Sequence, residues 1–229
     1  MIATICTIAL ALDYNDREGI IAGETSLSYV DGERGRLLYR GYRIGDLVEH
    51  GSYAAVANLL WTGAWDPRTR LATAAVPDAV LAVLRALPAT TKPMDALRTA
   101  VSAWGATREL SWPPTVDDAR ALTSFSPSAL AAFARLREGK DPVPPDPSLN
   151  LVEGFLYQLT GEPADPGTAR ALDAYFIVGA EHGFNASTFA ARVIISTHSD
   201  VASAVVGTSG RGMIEPNSPP APANLNEVT

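Results

Sequence analysis

The feature that most constrains this chain is a relay of apolar residues at helical spacing, cut repeatedly by prolines and glycines, between residues 52 and 197. Ser52 can cap Tyr53–Thr62, which puts Val56, Leu59 and Leu60 on one face, and Gly63 can stop it. Asp66-Pro67 pairs a cap with a first-turn proline and is expected to open another helix. Pro77 starts a segment with Val80, Leu81, Leu84 and Leu87 in step, and Pro93 starts one with Met94, Leu97, Val101 and Trp104, closed by Gly105. Residues 126–138 form a further helix ended by Gly139, and a proline-rich link over 140–147 leads to a helix over 149–159. Asp165-Pro166 opens the next, with Leu172, Tyr175, Phe176 and Gly179 on its inner face. The last clear helix spans 186–197, with Phe189, Val193 and Ile194 inward. The pattern predicts an all-α fold.

One stretch breaks it. Residues 25–40 read as a hairpin, with Leu27 and Tyr29 alternating with polar residues and Leu37 and Tyr39 doing so less regularly. Asp31-Gly32-Glu33-Arg34-Gly35 between them is rich in residues that tolerate positive φ.

Charge narrows the range of partners. The chain carries a net charge of −7, its only lysines are Lys92 and Lys140, and it has no basic run. That argues against nucleic acid and anionic membrane surfaces. An acidic protein that takes an anionic metabolite needs a local cationic pocket, because its overall field repels the ligand. Cys6 is the only cysteine, so an internal disulfide and a cysteine-based metal site are both ruled out, and a reducing, cytoplasmic setting is expected. No metal site is expected. The apolar stretch at 2–12 is too short to span a bilayer, and it lacks the basic residue and cleavage site of a secretory signal.

Three segments resemble citrate synthases, in that family's order. The first is Gly19-Ile20-Ile21-Ala22-Gly23-Glu24-Thr25, continuing to Tyr29-Val30-Asp31-Gly32 and Leu38-Tyr39-Arg40-Gly41-Tyr42. The second is Pro93-Met94-Asp95-Ala96-Leu97-Arg98-Thr99-Ala100-Val101-Ser102. The third is Ala180-Glu181-His182-Gly183-Phe184-Asn185-Ala186-Ser187-Thr188-Phe189. The pattern resembles most the shorter bacterial and archaeal type, which includes the 2-methylcitrate synthases.

The resemblance implies a nearly all-helical large domain with a small N-terminal hairpin. It implies condensation of oxaloacetate with acetyl-CoA or propionyl-CoA in the tricarboxylic acid cycle or a related route, with no metal and no redox cofactor. It divides the chain into a divergent segment over 1–18, a partial citrate synthase-like region over 19–207, and a tail over 208–229. By the same resemblance, His182 helps bind and polarise oxaloacetate, with Asn185 beside it. His182 is expected to close one helix and Asn185 to cap the next, at a junction suited to an anion. His50 and His198 read as helix-end residues, Glu181 as unsuited to be the base, and Arg98 and Arg192 as structural or at a subunit contact.

In the family, the next segment is Gly-Pro-x-His-Gly-Gly, whose histidine supports the enol. Here Ala204-Val205-Val206-Gly207 gives way to Thr208-Ser209-Gly210-Arg211-Gly212, and no histidine follows His198. The later histidine, the catalytic aspartate and the carboxylate-binding arginines of the family have no counterpart, so no catalytic residue is assigned. Residues 209–229 are rich in proline and glycine and read as a disordered tail. The expectation is therefore a truncated homologue, inactive alone, that works as a homodimer or with a complementing polypeptide. The alternatives are half of a split enzyme and a noncatalytic dicarboxylate-binding or interaction protein.

Overall fold

The computed structural model describes residues 25–183 and 185–209, so the expectations for residues 1–18 and, from 210 on, for the tail over 208–229 lie outside the described residues. Thr208 and Ser209, by contrast, are buried at the end of a helix and do not begin a disordered tail. Strands β1 (Ser28–Asp31) and β2 (Arg36–Tyr39) pair antiparallel, with Ser28 opposite Tyr39 and Asp31 opposite Arg36. The Asp31 carboxylate accepts the Arg34 backbone N–H at 3.0 Å and fixes the turn between them. A third strand, β3 (Tyr42–Arg43), was not expected. It is too short to show alternation. It forms because Arg40 and Gly41 both adopt positive φ (49° and 88°) and reverse the chain. The Arg40 guanidinium anchors that strained turn through the Leu60 carbonyl at 3.1 Å and Ser26 Oγ at 3.2 Å.

Nine helices follow among the described residues: α1 (Ile44–His50), α2 (Tyr53–Thr62), α3 (Asp78–Ala86), α4 (Pro93–Ala106), α5 (Val116–Arg137), α6 (Leu151–Thr160), α7 (Pro166–Val178), α8 (Ala186–Ser196) and α9 (Val201–Thr208). The all-α fold with its small N-terminal sheet is thus the observed one. Ser52 caps α2 through the Ala55 N–H, and Gly63 ends it in the left-handed region. None of the described helices is long and apolar enough to cross a membrane.

Several local expectations are corrected. Asp66-Pro67 opens no helix: Asp66 Oδ1 accepts the Arg68 N–H, a side-chain turn that competes with helix. Beyond it, the Ala74 N–H reaches across to the Ser124 carbonyl and holds this segment against α5. Helix α5 begins ten residues before the expected 126, at a capping box in which Thr115 and Asp118 satisfy each other's backbone N–H. Pro127 lies inside it and is tolerated, so proline marked no boundary there.

Gly105 is not a stop either; α4 runs through it to Ala106. A Cβ on Gly105 would fall 2.7 Å from the Ala202 Cβ, and one on Gly207 would fall 2.4 Å from Ile194 Cδ1. These two glycines let α9 lie close against both α4 and α8. The core between α4, α5 and α9 contains Leu97, Val101, Trp104, Leu122, Phe125, Val201 and Val205. Trp104 and Phe125 stack with ring centroids 5.4 Å apart. Burying each such ring contributes about 1.5–3 kcal/mol before entropy is counted.

The inner faces of α7 and α8 also differ from expectation. Tyr175 is 72% exposed, Phe189 47% and Val193 50%. Ile177 and Ala191 occupy the buried positions instead, because α1, α2 and α6 pack against α7, and α9 packs against α8.

A candidate anion site at the junction of helices α7 and α8

Helix α7 ends at Val178, and α8 starts at Ala186. His182 therefore lies in the connecting loop and does not close a helix, which corrects the expectation. Asn185 occupies the N-cap of α8, with Oδ1 accepting the Thr188 N–H at 2.9 Å. Gly183 takes φ of 82°, a conformation that favours glycine and turns the chain between the two residues. As a result His182 Nε2 lies 2.9 Å from Asn185 Nδ2.

That distance fixes the ring's chemistry. Asn185 uses its oxygen for the helix cap, so its amide nitrogen faces the imidazole. An amide nitrogen only donates, so His182 Nε2 is the acceptor. In the neutral ring the proton then sits on Nδ1. His182 is exposed, so this Nδ1–H can donate to a carbonyl or carboxylate oxygen of a ligand. The N-terminus of α8 adds a positive potential at the same place.

The loop has a buried support that sequence reasoning missed. Glu181 is only 2% exposed. Its Oε1 accepts the Gly183 N–H at 2.7 Å and the Ser28 hydroxyl at 3.2 Å. The Tyr39 hydroxyl donates to the Val178 carbonyl at 2.8 Å and accepts the Glu181 N–H at 3.1 Å. From sequence, Glu181 reads only as a neighbour of His182 that is unsuited to be the base. In a loop the two share a turn, and Tyr39 gave only a strand signal.

The remaining histidines serve other purposes. His50 ends α1 in an exposed position beside Glu49. His198 stacks on Trp112 at 3.8 Å, and Trp112 Nε1 donates to the Ile195 carbonyl. Arg98 pairs with Asp95 within α4 at 3.0 Å.

A cleft of about 520 Å³ opens elsewhere, lined by Ser52, Tyr53, Arg68, Arg70, Asn150 and Asp173 among others. Burial pushes the Asp173 carboxyl above its ordinary range, and nearby Glu153 adds to the shift. The Tyr53 N–H and Arg170 oppose it. Asp173 already accepts the Tyr53 N–H at 3.0 Å, and Asn150 already caps α6. The polar groups of this cleft are thus committed to the fold.

The family model described as citrate synthase, C-terminal domain, matches residues 16–210. The chain belongs to the citrate synthase family. It is 42% identical over 209 residues to the citrate synthase of Haloferax volcanii, covering 84% of this chain and 55% of that one. It is 37% identical over 207 residues to the 2-methylcitrate synthase of Mycobacterium tuberculosis, covering 84% and 51%. The crystal structure of citrate synthase from Thermotoga maritima superposes with a TM-score of 0.72 at 33% identity, over 84% of this chain and 53% of that one. The chain spans about half the length of the curated citrate and 2-methylcitrate synthases it matches. The His182–Asn185 loop lies within the part of the family that is matched.

Proposed function

We propose that this chain contributes the His182–Asn185 half of an oxaloacetate site to a citrate synthase-type condensation with acetyl-CoA or propionyl-CoA. The observation that carries the reading is the 2.9 Å pair, which leaves a defined Nδ1–H donor at a helix N-terminus. Such a donor polarises the keto group of oxaloacetate and makes its carbon a better electrophile. The other partner must become an enolate, which takes a placed carboxylate base and a donor for the enolate oxygen. Two carboxylates of oxaloacetate need cationic clamps as well.

In this reading those further groups belong to the second half of the family fold, and the present chain alone binds but does not turn over. Its partner is a second polypeptide, another copy or a chain that completes the fold. Tyr175, Val178, Phe189 and Val193 offer apolar surface for it. The setting is cytoplasmic, and the only cofactor-like molecule is the acyl-CoA co-substrate. Titration calorimetry with oxaloacetate tests the reading. Binding by the wild-type chain, lost in His182→Ala, supports it. Equal heats for the two proteins would remove His182 from the site.

A further inference from the structure

We propose that Glu181 is a positioning residue, a buried carboxyl that ties the His182 loop to the N-terminal sheet and so sets the direction of the His182 ring. Its functional weight rests on the oxaloacetate reading above. The Glu181 side chain is 2% exposed and touches both sides of a joint. On one side it accepts the N–H of Gly183, the residue directly after His182. On the other it accepts the hydroxyl of Ser28 in β1. Tyr39 in β2, fully buried, holds the same loop through the Glu181 N–H and the Val178 carbonyl.

The loop is thus gripped at residues 178, 181 and 183, and the cap at Asn185 fixes its far end. His182 is the exposed side chain at its centre. With both neighbours of the histidine bonded, its backbone has little freedom, and the ring meets Asn185 in one orientation. Removing the carboxyl would leave the Gly183 N–H and Ser28 hydroxyl to seek water and would free the turn. Outer-shell hydrogen bonds of this kind orient ligating histidines at metal sites. Here the same physics orients a hydrogen-bond donor.

The test is long-range proton–nitrogen correlation of the imidazole rings in the full chain, whose three histidines are separable by single replacement. It is run on wild type, Glu181→Ala, Glu181→Gln and Ser28→Ala, with oxaloacetate titrations on the same samples. We expect one defined tautomer for His182 in wild type and in Glu181→Gln, which keeps an acceptor oxygen. In Glu181→Ala the His182 pattern should average while those of His50 and His198 stay, and oxaloacetate affinity should fall about tenfold. If Glu181→Ala does not fold, Ser28→Ala decides the matter, because it removes one hydroxyl and should move only the His182 signals. A His182 pattern already averaged in wild type, or unchanged in whichever of Glu181→Ala and Ser28→Ala folds, would overturn the assignment. Wild type that ignores oxaloacetate while its His182 ring responds to these variants would instead remove the oxaloacetate reading and leave the positioning role standing.

Discussion

The carboxyl of Asp173 on α7 accepts the backbone N–H of Tyr53 at 3.0 Å, so the first turn of α2 is capped from a different helix. Burial holds this carboxyl above its ordinary value of 3.8. The native state therefore binds the proton more tightly than the unfolded chain. The associated stability is full below the unfolded value and is lost as pH rises through the folded one. Asp173→Asn keeps an acceptor for Tyr53 and removes the titration. Its stability relative to wild type should rise as pH increases from below 3.8 through the raised folded value. Denaturant melts across that range check this, and a constant difference would refute it. Asp173→Ala should cost about 1–2 kcal/mol in acid and less as pH rises, because only the wild type titrates.

Asn185 performs two tasks that one substitution separates. Aspartate is as good an N-cap as asparagine, so Asn185→Asp should leave stability within about 0.5 kcal/mol. It cannot donate to His182 Nε2, so the ring proton should move to that nitrogen and Nδ1 should become an acceptor. We expect oxaloacetate binding to be lost with the melting curve unchanged. Retained binding would make Asn185 a cap and nothing more.

Gly105→Ala sets helix propensity against space. Alanine gains about 1 kcal/mol in a helix interior. The new Cβ would lie 2.7 Å from the Ala202 Cβ, and two packed helices must then part. Overpacking of this kind costs about 1–3 kcal/mol, so the net effect should be destabilising. Adding Ala202→Gly should recover part of the loss. Thermal melts of the single and double variants measure that coupling, and an additive result would show that the helices do not touch there.

Phe189 and Val193 sit one turn apart on α8 and are each about half exposed. An apolar face of this kind invites association. The chain should elute larger than a monomer in size exclusion with light scattering, and Phe189→Lys with Val193→Lys should shift it to monomer. A wild-type monomer that binds no hydrophobic dye would contradict this.

Thiol release from acetyl-CoA or propionyl-CoA with oxaloacetate should be undetectable for the chain by itself. A general base and an enolate donor are each commonly worth ~10²–10⁴ in rate, and in the function proposed above both belong to the second half of the family fold. Turnover that disappears in His182→Ala would show that the chain holds a complete site.

Much of this architecture was readable from residue types, and the failures have particular causes. Ser52, Gly63, Asp165 and Pro166 mark their helix ends because each satisfies or removes a specific backbone group. Pro127 and Gly105 carried the same local signals with opposite outcomes, because packing outweighs propensity inside a helix whose neighbours hold it. Tyr175, Phe189 and Val193 followed helical periodicity, but periodicity identifies an apolar face without saying what covers it. His182 and Asn185 were found by a contiguous motif. Their supports, Ser28 and Tyr39, lie far away in sequence, and no spacing rule connects them to the loop.

That separation bears on how the molecule is made. Ser28 and Glu181 are 153 residues apart, and Leu27 and Tyr39 beside this joint are fully sheltered only in the finished fold. Joining chain ends across so long an interval is entropically costly and comes late. During synthesis the sheet therefore leaves the ribosome early and packs first against α1, while the Ser28 and Tyr39 hydroxyls wait for their loop partners until residues near 180 emerge. Over most of translation it is the segment a chaperone would be expected to hold.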